Sequence, residues 1–346
     1  MRVMRHPEIS DRQREILLKT LELYISTGAP VGSHALTEAV DASSSTIRAE
    51  LADLESSGLL THPHTSAGRV PTDAGYRYYV DALMTGHPRE GSSFEAPEGY
   101  GNLDELLRGV SEGMSEVTRL LAVVAGPSAL GDSLSRVDYL PLVDGALLIV
   151  VSMESGASSS TTLTLPAFVE GDELRELFAA LNSWLGGRSV GSDLELATAA
   201  RKVLSDHDPL VVRAVLEAIE VLGRATDRGV FIRGASALLA RLDDLDPQSL
   251  AAVVEIFERR RWILRLMGDA LERSAVANSG VIVSIGAENA LYNLMGTSLV
   301  AAAYSHHERP YGVVSLIGPK RMDYDAAITT VRSAAETLTH RLSAGF

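Results

Sequence analysis

The sequence predicts a multidomain α+β protein: three helices and a small hairpin, a linker, then a larger domain whose strands flank a helical middle. Three observations carry this. Within residues 1–85, helical segments separated by short turns give way to one hairpin-like segment between Leu59 and Pro71. Residues 86–102, Gly86-His-Pro-Arg-Glu-Gly-Ser-Ser-Phe-Glu-Ala-Pro-Glu-Gly-Tyr-Gly-Asn102, are rich in Gly, Pro, Ser and Glu and read as a linker. From Arg136 onward the pattern switches to runs of strand-forming residues. The boundaries that follow are 1–85, 86–102 and 103–346.

In the first helix, 11–27, Ile16, Leu17, Leu21, Tyr24 and Ile25 supply an apolar face. Gly28-Ala-Pro-Val-Gly32 breaks it, Ser33 caps a short second helix ending near Val40, and Asp41-Ala-Ser-Ser44 turns into a third. There Ser43 or Ser44 can accept the first free N–H groups, and Gly58 supplies the left-handed stop. Ile47, Leu51 and Leu54 share one apolar stripe. At about 100° per residue the opposite face carries Ser45, Ala49, Ala52 and Ser56, flanked by Thr46 and Arg48. So thin an outer face lets the helix backbone come close to another molecule.

Leu59-Leu60-Thr61-His62 then reads as a strand, Pro63 to Gly68 as a polar turn, and Arg69-Val70-Pro71 as the return. A helix from Thr72 to about Met84 follows, with Tyr76, Val80 and Leu83 on its packing side. A helix followed by a hairpin is the second half of a winged helix-turn-helix, in which the helix enters the DNA major groove and the hairpin tip reaches the backbone or minor groove. Candidate DNA contacts are Ser44, Ser45, Thr46 and Arg48 on the helix; His62, His64, Thr65, Ser66, Gly68 and Arg69 on the wing; and Arg77 as a phosphate anchor. His62 and His64 stand at i, i+2 on a strand with no carboxylates beside them, poor geometry for zinc.

Charge is only permissive of DNA binding. The chain of 346 residues has a net charge of −14, and residues 1–90 hold nine Lys or Arg against twelve Asp or Glu. Affinity for DNA rests largely on cations that displace counterions from phosphates. A domain this poor in them is expected to depend on dimerisation. The chain has no cysteine, which excludes disulfides, thiolate metal sites and cysteine nucleophiles and fits a reducing cytoplasm. Its longest apolar run, Gly145 to Met153, is far short of the roughly 20 residues a membrane helix needs. No Walker A loop, dinucleotide fingerprint or nucleophile elbow occurs, and Asp243-Asp-Leu-Asp246 lacks the spacing of a calcium loop. Neither an enzyme, a metal nor a cofactor is expected.

In the larger domain, helical periodicity runs from Leu103 to Val124. Strands follow at Val137–Val143, Gly145–Met153 and Ser160–Leu165, then a helix near Asp172–Trp184. A helical middle spans Leu194 to Leu271, where Leu250, Phe257, Leu264 and Leu271 recur every seven residues with Val254 and Met267 beside them. This is either a seam pairing two subunits or the inner face of an ordinary core helix. Late strands fall at Val281–Ile285 and Gly312–Ile317, and the last helix at Tyr324–Leu342, with Ile328, Val331, Ala335, Leu338 and Leu342 inward. Ser284 to Asn289 and Gly318 to Arg321 suit either a polar anion site or turns, with Asp323 capping the last helix.

Six segments carry a resemblance to a known family: Tyr24-Ile-Ser-Thr-Gly-Ala-Pro-Val-Gly-Ser33, Ser45-Thr-Ile-Arg48, His62-Pro-His-Thr-Ser-Ala-Gly-Arg-Val-Pro-Thr-Asp73, Gly75-Tyr-Arg-Tyr-Tyr-Val80, Val283-Ser-Ile-Gly-Ala-Glu-Asn289 and Gly318-Pro-Lys-Arg-Met-Asp-Tyr324. The chain resembles HrcA, the bacterial heat-inducible transcription repressors, over nearly its whole length, least over 86–135 and 190–250. One departure is Ala49, where the family pattern carries Asn. An amide reads adenine with two hydrogen bonds and a methyl group cannot. The resemblance implies a GAF-like domain interrupted by a dimerising insertion, which the pattern places at about 190–270. It further implies a homodimer on an inverted-repeat operator, CIRCE, upstream of chaperone operons, kept active by the GroEL chaperonin. The alternative is a regulator whose GAF-like domain senses a small metabolite.

Overall fold

Ser10 begins the first helix by closing a reciprocal pair with Gln13: its Oγ accepts from the Gln13 N–H at 3.2 Å, and the Gln13 side chain accepts from the Ser10 N–H at 3.0 Å. The computed structural model describes residues 7–63, 68–85, 102–126, 134–153, 158–165, 169–185, 207–216, 229–236, 266–271, 273–274, 280–292, 296–307 and 309–344. Helix α1 (Asp11–Thr27) stops at Gly28, whose φ of 71° lets its N–H return to the Tyr24 carbonyl. Helices α2 (Ser33–Leu36) and α3 (Ser44–Ser56) pack across it, so that Ile16, Leu17, Leu21, Leu36, Ile47, Leu51 and Leu54 are all buried. Strands β1 (Leu60–Thr61) and β2 (Val70–Pro71) pair antiparallel, and helix α4 (Asp73–Thr85) follows. The expected boundaries of α1, α3 and α4 hold to within a residue or two.

Helix α5 (Leu103–Thr118) is shorter than its periodicity predicts. Arg119 turns the chain at φ 54°, and Leu121–Ala125 becomes strand β3. A separate unit then intervenes. Strands β4 (Leu134–Pro141), β5 (Ala146–Met153) and β6 (Ser158–Thr164) form their own antiparallel sheet. Its inner face (Val137, Ile149, Val151) covers Leu174, Phe178 and Leu181 of helix α6 (Gly171–Leu185), together with Val211 and Val215. Asn182 stitches the layers, accepting from the Val137 N–H at 2.7 Å and donating to the Val137 carbonyl at 2.8 Å.

The chain returns to β3 at strand β7 (Val230–Arg233), inside the stretch expected to be helical, and adds β8 (Val281–Ile285), β9 (Thr297–His306) and β10 (Arg309–Pro319). The five strands run β7-β3-β10-β9-β8, every neighbouring pair antiparallel. Among the described residues, the separate unit that interrupts this sheet lies between Ala125 and Val230, so the interruption begins well before the expected 190–270 and overlaps it only in part. The three early strands belong to it, not to the main sheet. One sheet face is covered by α5 and the C-terminal helix (Tyr324–Ala344), the other by Leu266, Met267 and Ala270.

Tyr76, Tyr304 and Tyr324 are buried, and burial pushes all three phenols above the ordinary tyrosine value. An unfolded tyrosine ionises near pH 10. Above that pH the unfolded chain loses protons that the folded chain keeps, so stability is intact below about pH 10 and falls as pH rises beyond it. Thermal melts from pH 8 to 11 should show this fall, and Tyr76→Phe should lessen it.

Candidate nucleic-acid interface

Ser43 caps α3: its hydroxyl accepts from the Thr46 N–H at 3.2 Å and meets the Ser45 and Thr46 hydroxyls at 2.8 and 2.9 Å. Ser44 turns inward to α2, its Oγ 3.0 Å from that of Ser33. Gly58, at φ 75°, ends the helix and sends the chain into β1. With the apolar stripe buried, Ser45, Arg48, Ala49, Ala52 and Ser56 remain exposed, which is the face the spacing predicts. Arg48 has no acidic partner among the described residues.

The β1–β2 hairpin is tied to this helix at its base. Glu55 receives the Arg69 guanidinium at 2.8 Å on one carboxylate oxygen and the His62 imidazole on the other. Val31 adds a bridge, exchanging two backbone hydrogen bonds with Arg69 at 2.8 and 2.9 Å. Gly68 lies so close to this bridge that a Cβ there would sit 2.5 Å from the Val31 carbonyl carbon. Its glycine is thus a packing requirement. His64, Thr65 and Ser66, expected at the tip of a wing, lie outside the described residues. Sequence reasoning did not give Glu55 its clamping role, because its partners stand seven and fourteen positions away and only the turn brings them back.

Arg77 occupies a different place from the one expected of a phosphate anchor. Its guanidinium, 15% exposed, donates to the Glu288 carboxylate through Nε at 2.8 Å, again through Nη2, and to the Val283 carbonyl at 2.8 Å. Burial works against its charge, but Glu288 and then Asp81 more than offset this and raise its pKa. Most of the residues weighed as an anion site are likewise engaged, although the buried Ser284 hydroxyl meets no hydrogen-bond partner among the described residues. Lys320 contacts Asp73 at 2.8 Å, the Asn289 amide donates to the Ser284 and Thr297 carbonyls, and Asp323 accepts from the Ala326 N–H at 3.0 Å. The turn-and-cap reading describes them.

Of the heptad positions, Leu250, Val254, Phe257 and Leu264 lie outside the described residues. Met267 is fully buried beneath the five-stranded sheet, with the Ser315 hydroxyl 3.3 Å from its sulfur, and Leu271 packs beside it. Met267 therefore belongs to the chain's own core and presents no surface to a second subunit. Among the described residues no cluster of acidic, His or Cys side chains could hold a metal, and no helix is long and apolar enough to cross a membrane.

A profile described as "HrcA protein C terminal domain" matches residues 104–328. The "Heat-inducible transcription repressor HrcA" of Beutenbergia cavernae is 35% identical, over 96% of this chain and 99% of its own. The protein of the same name from Streptomyces avermitilis is 32% identical, over 94% of this chain and 97% of its own. A crystal structure described as a hypothetical protein shares the fold at a TM-score of 0.62 and 23% identity, covering 98% of this chain and all of that one.

Proposed function

The chain belongs to the HrcA family of heat-inducible transcription repressors, and from that premise we propose that it represses heat-shock genes as a homodimer on an inverted-repeat operator of the CIRCE type. The observation that carries this reading is the exposed face of α3, thin enough to enter a groove and set beside a hairpin braced by Glu55. In the proposal, residues 1–85 are a winged helix-turn-helix and the five-stranded lobe is the GAF-like domain. The unit between Ala125 and Val230 is the dimerising insertion. Ser45, Thr46 and Arg48 enter the groove while His64, Thr65, Ser66 and Arg69 follow the backbone.

A domain with net negative charge gains little from one half-site. Two copies fixed at the operator's spacing convert the second contact into an intramolecular one. Regulation by heat follows if the dimer is marginally stable, since losing a few kcal/mol on warming removes most of the competent species. A GroEL-type chaperonin would restore it when not occupied by other unfolded chains. A gel shift with an inverted repeat, its half-site and a scrambled copy tests the reading. The intact repeat should bind at least tenfold more tightly than either, and binding after a heat pulse should recover faster with chaperonin present. Equal retention of all three DNAs would overturn operator recognition, and equal recovery without chaperonin would remove its role.

A further inference from the structure

We propose that the contact between α4 and the turns of the five-stranded lobe is a joint fixing the angle at which α3 is presented, so that Glu288 and Lys320 are positioning residues for operator binding. This rests on the reading above and adds to it a way of holding two reading heads at one spacing.

The joint is built from complementary charge. Asp73 and Arg77 stand at i, i+4 on one face of α4, and each meets its opposite: Asp73 meets Lys320 at 2.8 Å, and Arg77 meets Glu288. Asp73 also accepts the Ala287 N–H at 2.9 Å, and Glu288 accepts the Ile285 N–H at 3.0 Å, so both acids are aimed by their surroundings. From the other lobe, Arg321 donates to the Ile25 carbonyl at 3.3 Å near the end of α1. Reversing or sliding the contact would set like charges together. Shape agrees with charge. Gly286, at φ 53°, lies so close that a Cβ would sit 2.1 Å from the Asp73 carboxylate, and at Gly28 a Cβ would sit 2.9 Å from Arg321. Beneath the ion pairs, the buried rings of Tyr76 and Tyr324 stand 5.9 Å apart, and one apolar cluster runs through both lobes.

Helix α4 connects the joint to the reading head. Thr72 at its start donates through its hydroxyl to the Gly58 carbonyl at 2.6 Å and through its N–H to the Leu59 carbonyl at 3.1 Å. The end of α3 and the base of the wing are thereby held to the same helix that meets the second lobe. A rigid path from lobe to groove keeps the effective concentration of the second half-site high, and a swivelling one lowers it.

The absence of cysteine permits a direct test. Spin labels on the full chain at Glu38→Cys and Glu336→Cys, both exposed, report the distance between lobes, in dimers diluted with unlabelled chain. The joint is broken from the side away from DNA with Glu288→Gln plus Lys320→Met, and Lys320→Met alone serves if the pair does not fold. The expected result is a narrow distance distribution that broadens in the variant. Half-site affinity should stay within twofold, while affinity for the inverted repeat should fall at least tenfold. An unbroadened variant distribution, retained affinity for the repeat, or an equal loss on the half-site would overturn the proposal. If the parent chain shows no preference for the repeat, operator recognition itself has failed, and the distance measurement still decides whether the joint exists.

Discussion

Gly75→Ala should disrupt the N-terminal lobe, although alanine is ordinarily the better helix former. Gly75 lies in the first turn of α4, where a Cβ would come within 2.2 Å of the Leu59 carbonyl oxygen and 3.2 Å of its carbon. That carbonyl cannot retreat cheaply, since it accepts both the Thr72 N–H and the Thr72 hydroxyl at 3.1 Å. The methyl group must displace α4 from the base of the β1–β2 hairpin, costing on the order of 1–3 kcal/mol or more as overpacking. Propensity alone would gain up to about 1 kcal/mol. Gly171, in the first turn of α6, is the control: a Cβ there would meet nothing within 4 Å, and Gly171→Ala should be neutral or slightly stabilising. Urea titration of both variants decides the matter. Similar midpoints would show that the Leu59 contact relaxes without cost.

What could be read from the sequence follows from the range of the interactions involved. Helices α1, α3 and the C-terminal helix are governed by local periodicity and caps, and Ile47, Leu51 and Leu54 point inward as their spacing requires. The exposed face of α3 was legible for the same reason. Strand β9 was not, because Thr297-Ser-Leu-Val-Ala-Ala-Ala-Tyr-Ser-His306 is rich in alanine and shows no alternation. It lies between β10 and β8 with both faces covered, and small residues there let the C-terminal helix approach. The end of α5 was hidden too, since Arg119 takes a left-handed turn without the glycine that would announce it. Arg77 and Glu288 are 211 positions apart. No window on the sequence relates such residues, so a joint between lobes reads locally as a solvated arginine and a polar turn.

Arg48→Ala should give the largest loss of operator binding among the exposed positions of α3. Ala49 and Ala52 offer no hydrogen bonds from their side chains, and the Ser45 hydroxyl already meets that of Ser43. Arg69, at the return of the hairpin, is tied to Glu55. Arg48 is exposed with no acidic partner among the described residues, so no ion pair with any of them must first break. If its guanidinium spans the two acceptors of a guanine, the loss is about 1–3 kcal/mol, or roughly 5- to 150-fold. That loss should depend on the base opposite and nearly vanish on operators already altered there. If it pairs instead with a phosphate, the loss should be even across sequences and the salt dependence should become shallower by about one ion. Arg48→Lys separates the two, because an ammonium keeps the charge but not the planar fork. Recovery of affinity by lysine would reassign Arg48 to the backbone. Failure of lysine to restore base preference would place it at the floor of the groove.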